Sequence, residues 1–163
     1  MKNILMLFSI FYLVVCSSCK KDVVVKFDKN TFVEQKQLWQ ASNTKDYEYD
    51  LFASGFLSYY GKIIVENESF KKQIDLQDYS ESLIPFFPNY STIDLIYKTI
   101  EENFNRYNGT KKSDFYYTEI LVEYDKINHI PIKINYKYYC SPRLAVDGTY
   151  NYTITNFDKL LTK

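Results

Sequence analysis

Two carboxylates sit beside phenols where strands begin or end: Asp46 before Tyr47, and Asp125 after Tyr124. Paired carboxyl groups can divide acid and base, or acid and nucleophile, work when about 5–9 Å apart across a bond. Aspartates at strand ends more often satisfy backbone donors in turns, and that is the expectation for both. The one histidine, His129, follows Asp125 by four residues. A catalytic histidine needs a nucleophile and an orienting group within hydrogen-bond reach. No serine or cysteine stands in a recognisable nucleophile motif, so His129 is expected at a loop surface. Asp75, Asp78 and Glu81 lack the glycine and ligand pattern of a calcium loop. No cysteine–histidine cluster has metal-ligand spacing. The expectation is no catalytic residue, no metal site and no cofactor.

The thiols point to a different chemistry. Residues 1–19 read MKNILMLFSIFYLVVCSSC, with Lys2, an apolar run from Ile4 to Val15, then small residues. A cationic start, a short apolar middle and a small-residue cut site make a secretory signal. The apolar run is too short to span a hydrocarbon core of roughly 30 Å. The segment resembles bacterial lipoprotein signals, in which the cysteine after the cut is acylated and becomes the new N-terminus. Ser17 and Ser18 suit that cut before Cys19, although Cys16 stands where such signals usually carry an aliphatic residue. Cys16 is the alternative, but Val15 before it is bulkier than the cut prefers. A plain secretory peptide or an uncleaved anchor remains the other interpretation. Cys19 is therefore the expected lipidation site, with further acyl chains needed for a stable hold. The expected organisation is a signal peptide over 1–18, a lipidated tether over 19–26 and a single domain over 27–163. The implied location is the cell envelope, on a membrane through the N-terminal lipid, facing periplasm or surface. Processing leaves Cys140, expected as a small half-buried strand residue.

Composition narrows the classes. Loss of 1–18 removes Lys2 and no acid, leaving nineteen of the twenty bases and all twenty acids. A domain this near neutrality has no electrostatic footprint for nucleic acid. Seventeen tyrosines and twelve phenylalanines against four glycines and four prolines argue for strands. The sequons at Asn67, Asn89, Asn108 and Asn151 follow from an asparagine-rich composition.

The elements that must position these groups alternate in type. Residues 28–42 suit a helix capped by Asn30 or Thr31, with Glu34 completing a capping box. Residues 47–56 alternate, with Tyr47, Tyr49, Leu51 and Ala53 on one face. Residues 59–66 and 70–76 form a hairpin turning at Asn67-Glu68, followed by a loop over 77–90 containing IPFFP. Ser91 caps a second helix with the stripe Ile93, Ile96, Tyr97, Ile100 and Phe104, ended by Asn108-Gly109. Residues 115–125 and 131–139 pair so that Glu119 and Glu123 face Lys133 and Lys137. Asp147-Gly148 turns into a last strand over 149–157. The expected fold is α+β: an antiparallel sheet of about six strands with two helices packed on one face, in the order helix–strands–helix–strands.

Several landmarks occur in an order that resembles the bacterial family called domain of unknown function 6174. They are Leu38-Trp39, Asp46-Tyr47-Glu48-Tyr49, Val65-Glu66-Asn67, Thr92-Ile93-Asp94-Leu95-Ile96-Tyr97, Val122-Glu123-Tyr124-Asp125, Pro131 and Ile134. The likeness spans about residues 27–157. Glu68 and His129 replace glycines of that pattern, and its acidic cluster is reduced to Asp147. The resemblance implies a secreted or lipid-anchored α+β protein and brings no activity with it.

Phe52, Phe56, Tyr60, Phe86, Phe87, Tyr117 and Tyr139 fall outside the inward-facing sets or in loops. Phe86, Phe87, Tyr60 and Tyr117 are the candidate interaction surface, because aromatics carry much of the energy at protein interfaces. Phe86 and Phe87 are expected to be dispensable for folding. These residues suggest a non-catalytic, membrane-anchored module that binds an envelope or secreted protein or a peptide. The alternatives are a carboxylate-dependent hydrolase using Asp46 and Asp125, and an inhibitor of a secreted enzyme. Metabolic labelling with a fatty-acid analogue tests the anchor. The wild-type chain should take the label and Cys19→Ala should not; label retained by Cys19→Ala would move the anchor elsewhere.

Overall fold

The computed structural model describes residues 22–55, 58–141 and 148–160. Cys16, Cys19, Phe56 and Asp147, with the signal segment and the first part of the tether, lie outside them. The elements run β1 (Lys26–Phe27), α1 (Lys29–Ala41), β2 (Tyr47–Ser54), β3 (Tyr59–Glu66), β4 (Ser69–Asp75) and β5 (Glu81–Ser82). A 3-10 turn at Pro88–Tyr90 leads into α2 (Ile93–Tyr107), then β6 (Phe115–Tyr124), β7 (Pro131–Cys140) and β8 (Gly148–Lys159).

These strands form one eight-stranded sheet in the order β1-β6-β7-β8-β2-β3-β4-β5. This corrects the expected six-stranded antiparallel sheet with helix–strands–helix–strands order. The fold is mostly sheet, the chain enters it through a strand, and β1 runs parallel to β6, making the sheet mixed. The physical cause is aromatic burial next to the tether. Phe27 packs between Phe32 and Phe104, at ring distances of 5.2 and 5.1 Å, which lays Lys26–Phe27 along Glu119–Ile120. Just before it, Val23 and Val25 are buried. The Val23 N–H donates to the Thr110 carbonyl at 2.8 Å, and Val25 N–H to Asn108 Oδ1 at 3.2 Å. Residues 23–25 thus belong to the packed body.

Helix α1 starts at Asp28, whose carboxylate accepts from the Thr31 N–H at 3.1 Å and hydroxyl at 2.8 Å. Its cap is two residues before Asn30 and three before Thr31, and it buries only Phe32 and Trp39. Helix α2 is capped by Thr92 rather than Ser91, with Thr92 Oγ1 accepting from Leu95 N–H at 3.2 Å. Its stripe of Ile93, Ile96, Tyr97 and Ile100 is fully buried. Both helices lie on the sheet face that carries Tyr47, Tyr49, Ile134 and Tyr136, with Trp39 of α1 packed on Tyr47 and the Ile93 N–H of α2 bonded to the Tyr47 hydroxyl.

A repeated unit emerges from the topology. Each helix is followed by a three-stranded meander, and β6-β7-β8 and β2-β3-β4 lie in the sheet in the same direction. β8 closes the junction by pairing antiparallel with β2. The opposite sheet face is largely polar, with Phe52, Tyr60 and Leu121 partly exposed among its charged pairs. On it Lys62 bonds Glu48 and stands 3.9 Å from Asp50, while Asn156 donates to Asp50 at 2.7 Å. Glu119 is likewise held between Lys26 and Lys137. The β3–β4 hairpin turns through Asn67 and Glu68, both at left-handed φ of 51° and 62°. A non-glycine residue there costs on the order of 1–2 kcal/mol, so Glu68 holds a position that glycine fills more cheaply.

The core is rich in phenols. Burial pushes the Tyr136 hydroxyl up to about 12, and raises Tyr47, Tyr49, Tyr90 and Tyr97 as well. A phenol raised in the folded state contributes stability that is complete below the unfolded value near 10 and lost above it. For Tyr136 alone the loss between about pH 10 and 12 is roughly 3 kcal/mol. Alkaline unfolding should therefore be cooperative above about pH 10, with the buried phenols' share of the tyrosinate absorbance rising together with the loss of near-ultraviolet dichroism. Near-ultraviolet dichroism retained after the full tyrosinate absorbance has developed would contradict this account.

Candidate interaction surface

The expected carboxylate pair does not form. Asp46 Oδ1 accepts the Asn67 N–H at 2.7 Å, and Asp125 Oδ1 accepts from Ile127 at 2.9 Å and from Asn128. Both act as turn caps. β7 and β8 lie between the strands that carry them, a separation of three strand spacings, or about 14 Å. That exceeds the distance over which two carboxyls can share one bond. His129 stands at φ 58°, half-buried rather than at a loop surface, with Nδ1 3.0 Å from Gln35 Oε1. Its carbonyl accepts from the Tyr97 hydroxyl, so the residue locks the β6–β7 turn to both helices. Among the described residues no group of three histidine, cysteine, aspartate or glutamate side chains could hold a metal ion.

A cleft that the sequence did not reveal lies between the helix ends and the β3–β4 turn. Trp39, Gln40, Asn43, Thr44, Glu68 and Asp94 line about 190 Å³. The Trp39 indole N–H donates to Asp94 Oδ1 at 3.2 Å. Burial raises the Asp94 carboxyl above its ordinary range, opposed by that bond and reinforced by Glu68. The arrangement joins α1 to the first turn of α2, where a carboxylate also complements the helix dipole.

The four candidate interface residues fall in three places. Tyr60 lies on the polar face beside Phe52, at 6.3 Å, both partly exposed. Tyr117 is on the helix-covered face, between Tyr107 at 5.1 Å and Tyr136 at 5.0 Å. Phe86 and Phe87 share the loop after β4 but point differently. Phe87 packs edge-on against Tyr59 and Tyr152, at 5.7 and 6.0 Å. Phe86 stacks on Tyr59 at 5.1 Å and is 52% exposed.

That loop is built stiffly. Asp75 Oδ1 accepts Gln77 N–H at 2.7 Å, Asp78 Oδ1 accepts Ser80 N–H at 2.8 Å, and Asp75 N–H donates to the Ser80 carbonyl at 2.9 Å. β5 then pairs with Gln73–Ile74. Ser82 Oγ donates to the Ile84 carbonyl at 2.8 Å, and Phe86 N–H donates to Gln73 Oε1 at 2.7 Å. Within this fixed frame Tyr79, Leu83 and Ile84 are 75%, 77% and 76% exposed. Sequence reasoning passed over Leu83 and Ile84 because it weighted aromatics; their place beside two prolines in a connecting loop was the available signal. No protein-family model and no curated protein matches the chain.

The packing separates two classes of substitution. Phe87→Ser should destabilise the domain by about 3 kcal/mol, as truncations of packed aromatics do. Leu83→Ser with Ile84→Ser should change stability by less than about 0.5 kcal/mol, since both side chains are mostly exposed. Urea titration of each variant measures this, and a large loss from the Leu83/Ile84 pair would place those residues inside the core.

Proposed function

We propose that the chain is a bacterial cell-envelope lipoprotein, anchored through Cys19, whose domain is a non-catalytic module binding another protein or a peptide. Loop 77–87 carries that binding. The supporting observation is that Tyr79, Leu83, Ile84 and Phe86 stay exposed in a loop whose backbone is hydrogen-bonded in place. Apolar side chains concentrated in this way mark interaction sites on soluble domains. Covering them would contribute on the order of 5 kcal/mol from area alone, before the cost of association.

The layout suits an anchored binder. Asp22, the first described residue, pairs with Lys111 at 2.8 Å, and β1 lies at one end of the strand order. β5 and its loop lie at the other end, seven strand spacings away, or at most about 34 Å in a flat sheet. A lipid at Cys19 would hold the first edge close to the bilayer and leave the other edge for a partner. The resemblance to domain of unknown function 6174 agrees with this location. The carboxylate separation weighs against the hydrolase.

A photocrosslinking amino acid placed at Ile84 of the full, membrane-anchored chain tests this function. Specific protein adducts should form at Ile84 and be absent when the same group replaces Lys98, exposed on α2. Equal adducts at both positions, or none at Ile84, would overturn loop 77–87 as the binding surface.

A further inference from the structure

The charges around the exposed loop select what can cover it. From Gln73 to Tyr97 the chain has no lysine or arginine, while Asp75, Asp78 and Glu81 all belong to the loop or its flanking turns. Lys72, on β4, pairs with Glu81 at 2.7 Å and offsets one of them. Asp75 accepts the Gln77 N–H and Asp78 accepts from Ser80, bonds that build the turn, and among the described residues no lysine or arginine forms an ion pair with either carboxylate. Hydrogen bonds from Ser80 hold the Asp78 carboxyl below its usual range, keeping it ionised. The loop therefore presents apolar side chains within a negative field.

Three occupants are possible for such a surface. An anionic bilayer attracts basic segments, and an acidic loop is repelled from it. A second copy would bring the same carboxylates face to face, and like charges across an interface are unfavourable. A basic, apolar protein segment meets neither objection. The backbone adds a shape. β5 has a sheet neighbour on one side only, and it is two residues long. At the other end of the same sheet, two residues of β1 suffice to seat a chain segment along β6. An edge strand of this kind accepts an added strand whose alternate side chains face the receiving surface.

Resting on the binding role proposed above, we infer that the partner of loop 77–87 is an extended segment of another protein, alternating apolar with lysine or arginine residues. It lies along the β5 edge, its apolar side chains cover Leu83, Ile84 and Phe86, and its cations meet Asp75 and Asp78.

The probe is an array of dodecapeptides alternating valine or leucine with lysine, serine or glutamate, tested against the full chain in detergent. The lysine series should bind at least tenfold more tightly than the glutamate series, with serine between. Asp75→Asn with Asp78→Asn, whose amide oxygens can keep the turn bonds, should erase that order, and Leu83→Ser with Ile84→Ser should weaken the lysine series at least tenfold. Equal affinity across the three series, dependent on Leu83 and Ile84, would sink the basic partner while leaving protein binding by the loop intact. Lysine-series binding indifferent to Leu83 and Ile84, or binding in no series, would sink both. Vesicles of anionic phospholipid captured through Leu83 and Ile84 would identify a membrane contact, and self-association lost in the same variant would identify a second copy; either overturns the inference.

Discussion

Tyr47 and Tyr49, on the same face of β2, both direct their hydroxyls at the chain around the start of α2. The Tyr47 oxygen accepts the Ile93 N–H at 3.0 Å, one of the donors a helix leaves unpaired in its first turn. Tyr49 donates to the Tyr90 carbonyl at 2.6 Å. Trp39 reaches the same place from α1 and bonds Asp94. Three aromatic side chains of the first helix–meander unit thus fix the entry to the second. All three are buried, so removing any polar partner would leave a donor or acceptor without water, at about 1–3 kcal/mol. The effect passes onward. Tyr90, placed by Tyr49, stacks on Tyr152 at 3.9 Å, and Phe87 meets the same ring. The exposed loop consequently ends on a residue that the central clamp holds still.

Much of this frame was legible where side chains alternate. Tyr47, Tyr49, Leu51 and Ala53 face inward as their spacing requires, and so do Ile134 and Tyr136. The two-residue strands were not legible, because such strands exist only through their neighbours. Lys26–Phe27 becomes β1 through the burial of Phe27, and Glu81–Ser82 becomes β5 through its pairing with β4. Tyr117 shows a different limit. Counting in twos from Tyr116 places it outside, but the register shifts between Tyr117 and Glu119. A bulge of this kind moves a side chain to the other face, and sequence carries no mark of it. Phe86-Phe87 fails for a simpler reason: two identical neighbours have no period, so only Tyr59 and Tyr152 decide which is covered. The carboxylates were legible as turn caps, whereas their separation depended on strand order.

The polar sheet face also bears on where binding occurs. Its charges are already matched internally: Glu48 and Asp50 by Lys62, Glu119 by Lys26 and Lys137, and Glu123 by Lys133 at 3.1 Å. Lys137 and Lys26 hold the Glu119 carboxyl below its usual range, a sign that these bonds favour the ionised form. A partner docking on this face would have to displace or desolvate these ion pairs, at a cost in free energy. An interface on that side is disfavoured by the same contacts that stabilise the sheet.

Loop 77–87 is the converse case. Backbone donors in it are met by Asp75, Asp78, Ser82 and Gln73, and its end is fixed by Phe87, while Leu83 and Ile84 contribute little buried area to the fold. Ordering a floppy loop upon association would cost conformational entropy for each side chain and peptide immobilised. Here folding has already fixed the peptides, so a partner need only cover apolar surface. The bonds that hold the loop also leave its negative groups pointing into solvent, where their field reaches roughly a Debye length, about 8 Å at physiological salt. Rigidity supplies the shape and charge selects the partner, and the two can be altered separately because Leu83 and Ile84 take no part in the hydrogen bonds of Asp78.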